Sequence, residues 1–270
     1  MSKLEVLCVT MHQNDFKKIE QMNIQSDIVF ANQCDHTAYD EMKFGAYTAK
    51  MISTQTRGVG INRNLSLSYA GGSIILLSDE DMVYNDGYAD AILQAFEEHP
   101  KADVMIFNIG ATGSERKQKQ NNKTRKLSRF ARMPYGAPRI ALRLSAWRKS
   151  NVWFTTLFGG GAVYSNGEDS VFLNQLRRAG LSIYVSNVHI GNVDMSDSCW
   201  YQGANEEFFF NKGAYIQAMH PKTVLIWHLY FAFRVRSSLR FSQRMKWLRL
   251  GKKAYACPCI QSFKEMKSGD

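Results

Sequence analysis

At 270 residues, with 45% apolar and 12% aromatic side chains, the chain can bury one large core and is neither a disordered nor a fibrous polymer. The net charge of +10 is divided unevenly: residues 1–110 hold 8 Lys/Arg against 15 Asp/Glu, and residues 111–270 hold 26 against 9. No apolar run reaches the roughly 18–20 residues of a membrane span, and Cys8, Cys34, Cys199, Cys257 and Cys259 lack zinc-site spacing.

In chain order, "LEVLCVT" (4–10) and "SDIVFAN" (26–32) are short apolar runs with β-branched residues and predict buried strands. Residues 48–54 alternate weakly and are read as a third. "GVGINRNLSLSYAGG" then sets Ile61, Leu65 and Leu67 at helical spacing before a Gly71-Gly72 stop. "SIILLS" predicts a strand, "DGYADAILQAFEEHP" a helix and "ADVMIFNI" another strand. This alternation predicts an α/β fold with a mostly parallel sheet. Residues 111–136 are polar and basic and too long for an ordinary connection, which predicts a mobile functional loop. "PRIALRLS" (138–145) is read as a returning strand. A glycine-rich turn follows, then a helix from about Asp169 to Arg178 and a strand closing at His189.

Two acidic clusters carry the chemistry. "LLSDEDMVY" sets Asp79, Glu80 and Asp81 at the carboxyl end of an apolar strand, where open α/β sheets bind ligands. Along an extended chain Asp79 and Asp81 face one way and Glu80 the other. The pair suits a hard divalent ion such as Mg²⁺ or Mn²⁺, and a charged turn idle in solvent is the alternative. "GEDS" sets Glu168 and Asp169 at a helix start. Helix capping and a general base are both open readings there.

The ordered set "RGVGINRNLSLSYAGGSIILLSDEDMVY", "FGGGAVYSNGEDSVFL" and "SDSCWYQGANEEFFFNKGA" resembles the family 2 glycosyltransferases of bacterial surface-polysaccharide pathways, over residues 1 to about 222. The resemblance implies a GT-A-like single domain (1–221), and the residues that follow are read as a basic, helical C-terminal appendage (222–270). It also implies a nucleotide-sugar donor, with UDP expected, Mn²⁺ or Mg²⁺ as cofactor, inversion at the anomeric carbon, and a saccharide or lipid-linked acceptor. By the same resemblance Asp79 lies near the donor ribose and Asp81 is the metal ligand. Asp169, from the Glu168-Asp169 pair, is the catalytic base, and Arg63 and Asn64 order the donor side. Thr10, His12, Gln33 and Asp35, with Asn32, lie where the family holds the nucleobase. "TMHQ" and "NQCD" depart from the family's usual residues there. A late histidine, His189, is an added metal ligand by analogy or else a surface or core histidine at a strand end, and Trp200 and Tyr201 are candidates to stack on a sugar or to serve in ordinary packing. Two rival readings are a sugar-nucleotide pyrophosphorylase-like enzyme and an inactive membrane-surface binding protein. The first lacks its glycine-rich phosphate loop in "CVTMHQNDF", and the second sits poorly with intact Asp79, Asp81 and Asp169.

Residues 222–267 carry 11 Lys/Arg and one Glu, interleaved with aromatic side chains. That density suits an anionic membrane surface, and no nucleic-acid recognition motif accompanies it. The odd cysteine count and the charged start "MSKLEVLCVTMHQ" predict a reducing, cytoplasmic setting, peripheral on the membrane's cytoplasmic face.

Overall fold

A computed structural model describes residues 3–113, 118–196, 203–257 and 262–268. Trp200, Tyr201, Cys199 and Cys259 lie outside the described residues. The chain runs β1 (Leu4–Met11), α1 (Lys18–Gln21), β2 (Asp27–Gln33), β3 (Ala38–Phe44), β4 (Tyr47–Thr54) and α2 (Val59–Ser68). It continues with β5 (Ile74–Asp79), β6 (Met82–Tyr84), α3 (Tyr88–Glu98), β7 (Val104–Thr112), β8 (Arg125–Lys126), a 3₁₀ turn at Ala137–Arg139 and β9 (Ile140–Arg143). Then come α4 (Leu144–Ser150), α5 (Glu168–Arg178), β10 (Ile183–Asp194), α6 (Glu206–Met219), α7 (Val224–Arg234), α8 (Phe241–Ala256) and α9 (Phe263–Ser268).

One sheet organises the domain, in the order β3-β4-β2-β1-β5-β9-β7-β10-β6, with β8 added to β10. Its centre, β4-β2-β1-β5, is parallel, as is the β7–β10 pair; β9 slots antiparallel between β5 and β7. The central strands read as unbroken apolar runs because both faces are covered. In β1, Val6 and Cys8 enter one core and Leu7 the other. The parallel register brings four strand ends to one edge: Thr10 lies opposite Asn32, Asn32 opposite Ser53, and Val9 opposite Asp79.

Three details differ from the sequence expectation. Residues 38–54 form a β3–β4 hairpin, so the strand expected at 48–54 has an antiparallel partner. The strand expected to close at His189 runs on to Asp194, with register irregularities on either side of His189. Within the segment expected to be a mobile loop, Leu127, Met133 and Tyr135 are buried in the second core, and β8 pairs with β10. A few apolar side chains suffice to anchor an otherwise polar stretch.

The C-terminal helices build a third core, in which Phe209, Phe210, Trp247 and Leu248 pack with Phe158 and Tyr164 of the glycine-rich turn. The α6–α8 contact is backbone-close. A Cβ on Gly251 would meet the Phe210 carbonyl oxygen at 1.9 Å, and one on Gly213 the Leu248 carbonyl oxygen at 2.1 Å. Glycine is required at both positions for the helices to approach this closely.

Candidate active site

The site grows out of α2. A helix turns 100° per residue, so three consecutive side chains point three ways. Asn62 turns to the sheet and donates to the carbonyls of Ala31 (2.6 Å) and Thr10 (3.3 Å). Asn64 grips the backbone of Phe154 from both sides: its Nδ2 donates to the Phe154 carbonyl (2.9 Å) and its Oδ1 accepts from the Phe154 N–H (2.8 Å). Arg63, between them, is buried at 2% exposure. Its guanidinium lies over the Phe154 ring, 5.6 Å from the centroid. The helix can come this near because residue 60 is glycine; a Cβ there would sit 2.3 Å from the Thr155 carbonyl oxygen.

Arg63 joins the two acidic clusters. Its Nη2 donates to Asp79 Oδ1 at 2.7 Å, and its Nε lies 3.7 Å from Asp169 Oδ1. Asp169 Oδ2 accepts from the Ala137 N–H at 2.9 Å, which ties the acid to the packed end of the basic segment. Glu168 completes the ring of carboxylates. Burial works against the guanidinium's charge, but Asp79, Asp169 and Glu168 more than offset it and raise Arg63 above the usual arginine value. Burial pushes the Asp169 carboxyl up to about 7. Arg63 pulls against that shift, and Glu168 and Asp79 add to it.

The three acids of "DED" are not equivalent. Asp79 is the last residue of β5, but Glu80 and Asp81 form a turn into β6, so strand alternation stops at Asp79. Glu80 folds back to the β1 end, where Thr10 Oγ1 donates to its Oε2 and Gln13 Nε2 donates at 3.0 Å. Asp81 is exposed and has no cationic partner among the described residues. Partial desolvation, then the neighbouring Asp79, push its carboxyl up to about 7, with Glu80 and Asp194 adding to the shift. Asp194, at the end of β10, donates its N–H to the Asp81 carbonyl at 2.9 Å. Sequence reading missed Asp194, because nothing local marks that β10 brings it to the "DED" turn. Asp194 Oδ1 accepts from the Ser196 N–H (3.0 Å) and hydroxyl (2.5 Å), and the carboxylate oxygens of Asp81 and Asp194 are of the type a hard divalent cation takes.

His189 is placed elsewhere. Its Nδ1 and carbonyl face Asn85 Nδ2, each at 3.1 Å. It precedes Asp194 by five residues along β10, with a register irregularity between His189 and Asn192. Gln33 is likewise turned inward, its Nε2 donating to the Gly58 carbonyl at 3.2 Å. Both polar atoms of Asn64 are committed to Phe154, so it supports the site without facing a donor. Thr10 sits beside Glu80, while His12 and Asp35 are exposed at the rim. Next to them the Cys34 Sγ, an Asp35 carboxylate oxygen and a His36 ring nitrogen all lie within 4.8 Å of one another. Asp35 and His36 are hydrogen-bonded at 2.9 Å.

Residues 38–153 match the family described as "Glycosyl transferase family 2". No curated protein matches the chain by sequence. Among solved structures, the chain is similar to S. aureus TarS at 15% identity and a TM-score of 0.56, over 92% of this chain and 43% of that one. It is similar to TarS 1–349 in complex with UDP-GlcNAc at 16% identity and a TM-score of 0.55, over 91% and 70%. The TarS 1–349 complex with UDP gives 14% and 0.54, over 95% and 72%. The chain thus spans under half the length of the longer TarS structure. Two acid clusters converge on Arg63 at the sheet's carboxyl edge, the chain shares the GT-A-like fold of these structures, and residues 38–153 match the glycosyl transferase family 2 model.

Proposed function

We propose that the protein transfers a sugar, with inversion, from a UDP-sugar to a saccharide or lipid-linked saccharide acceptor in surface-polysaccharide synthesis. The observation that carries this reading is the Arg63 bridge, which gathers Asp79 and Asp169 from distant parts of the chain into one site. Asp79 and Thr10 lie at the edge where a nucleoside is expected, and similar structures hold UDP-GlcNAc and UDP. Asp169 is the base: it takes the proton of the acceptor hydroxyl as that oxygen attacks the anomeric carbon. Its raised proton affinity suits that role near neutral pH. The Ala137 N–H fixes one carboxylate oxygen, and the other, Oδ1, is buried facing Arg63 Nε at 3.7 Å with no hydrogen-bond partner among the described residues. Asp81, with Asp194 beside it, would hold Mg²⁺ or Mn²⁺, which supplies positive charge against the departing diphosphate. The basic charge of the C-terminal helices supports a position on the cytoplasmic face of an anionic membrane, beside a lipid-linked acceptor.

The test is a panel of nucleotide sugars with Mn²⁺ and purified protein, read as release of the nucleoside diphosphate. A UDP-sugar is expected to turn over, and Asp81→Ala to remove turnover. Turnover of no nucleotide sugar, or full activity in Asp81→Ala, contradicts the reading.

A further inference from the structure

The α7 helix is amphipathic in the wrong direction for a helix that only packs. Val224, His228 and Ala232, at spacings of four, face inward and are buried. Leu225 (61% exposed), Ile226 (66%), Leu229 (39%) and Phe233 (75%) form a stripe on the outside. The Phe233 ring packs at a tilt against Phe241, itself 40% exposed, and extends the stripe to the start of α8. An apolar stripe of this size on a surface helix marks an interaction site.

Beside the stripe, α7 and α8 enclose a cleft of about 650 Å³. Val224, Leu225 and Ala256 supply apolar walls, and Arg249, Lys252 and Lys253 supply three cations. None of the three cations has an ion-pair partner among the described residues. The buried His228 also lines the cleft, with its Nε2 unbonded. Burial and the cations Lys252 and Arg249 lower its pKa to about 4, so near neutral pH it is an uncharged hydrogen-bonding group.

We propose that this cleft is a headgroup site for a phosphate-bearing membrane lipid, with the α7 stripe lying in the bilayer surface beside it. Three uncompensated cations call for a compact, multiply charged anion. Leu225 belongs to both cleft and stripe, so a ligand with its anion in the cleft has an apolar path out of it. A free anion would leave the stripe in water, whereas a lipid accounts for both features. The proposal rests on the membrane reading above and gives it a site; the transferase assignment does not depend on it.

The test is flotation of the full chain with phosphatidylcholine vesicles, with and without phosphatidic acid. The variants are Lys252→Glu/Lys253→Glu, Leu225→Ser/Phe233→Ser, and a charge-matched control, Lys101→Glu/Lys149→Glu, far from the cleft. The expected result is binding only to the phosphatidic acid vesicles. The cleft and stripe variants should each weaken it by about tenfold or more, with the control close to the parent. Transfer to a soluble acceptor should be unchanged in all three. If the parent does not float, both the site and the membrane reading fail. If it floats and the cleft variant binds like the control, the headgroup site fails and the membrane reading stands. Titration with inorganic phosphate that shows cleft binding without flotation overturns the lipid in favour of a free anion. A parent dimer that the stripe variant converts to monomer, with vesicle binding unchanged, assigns the stripe to a second copy of the chain and overturns the proposal.

Discussion

Arg63 is a buried cation shared by two carboxylates, Asp79 and Asp169, to which the proposed reaction gives different steps. Alone, Asp169 in this pocket would hold its proton well above the usual carboxylate range; Arg63 draws it back toward neutrality. Two outcomes follow. A base must be unprotonated, and a group titrating at about 7 gains its proton below that pH. kcat/KM should therefore fall about tenfold per pH unit on acidification below about 7, measured with a soluble acceptor. Arg63→Gln removes the opposing charge, so the acid limb of the profile should move to higher pH as well as lose amplitude. A variant with an unmoved limb and reduced amplitude would show that Arg63 only supports the fold. Glu80, the most conspicuous acid of its run, is taken up by Thr10 and Gln13 at the β1 end. Its neighbour Asp81 has no cationic partner among the described residues.

At the level of elements, the sequence makes the strand–helix alternation plain because central strands buried on both faces are unbroken apolar runs. The "RN" helix, the "DED" strand end and the "GEDS" helix start were legible for the same reason: each sits at a boundary with a strong local signal. What was not legible is long-range. No local pattern says that β10 continues past His189 to bring Asp194 to the "DED" turn, or that β9 inserts antiparallel between β5 and β7. Nor does the motif show that Asn64 spends both polar atoms on Phe154 rather than on a ligand. That grip supports the ring beneath Arg63. Asn64→Ala should cost about 1–3 kcal/mol of stability, since it leaves two backbone groups of a buried residue unpaired. Denaturant unfolding reads this directly, and an unchanged midpoint would remove Asn64 from the scaffold. Gly251→Ala drives a methyl group into the Phe210 carbonyl and should destabilise the α6–α8 contact by about 1–3 kcal/mol.

Taken whole, the molecule joins a sheet domain of nearly balanced charge (23 Lys/Arg and 22 Asp/Glu over residues 1–221) to basic helices through a common core. Phe158 and Tyr164, from the turn that leads into α5, pack with Phe209, Phe210 and Leu248. The helices after residue 221 are therefore part of the packing around the site and not a detachable tail. A chain ending at residue 221 should aggregate on size exclusion, because it bares Phe209 and Phe210; a monodisperse fragment with an unchanged Tm would contradict this. No helix among the described residues is long and apolar enough to cross a membrane. The central claim is that two acid clusters divide the reaction between donor and acceptor around Arg63. Asp169→Asn tests it most directly, with transfer rate and UDP-sugar binding measured on the same preparation. The account predicts a loss of transfer of about 10²–10⁴-fold with donor affinity retained within a few fold. Full transfer activity, or loss of donor binding in step with loss of rate, would contradict it.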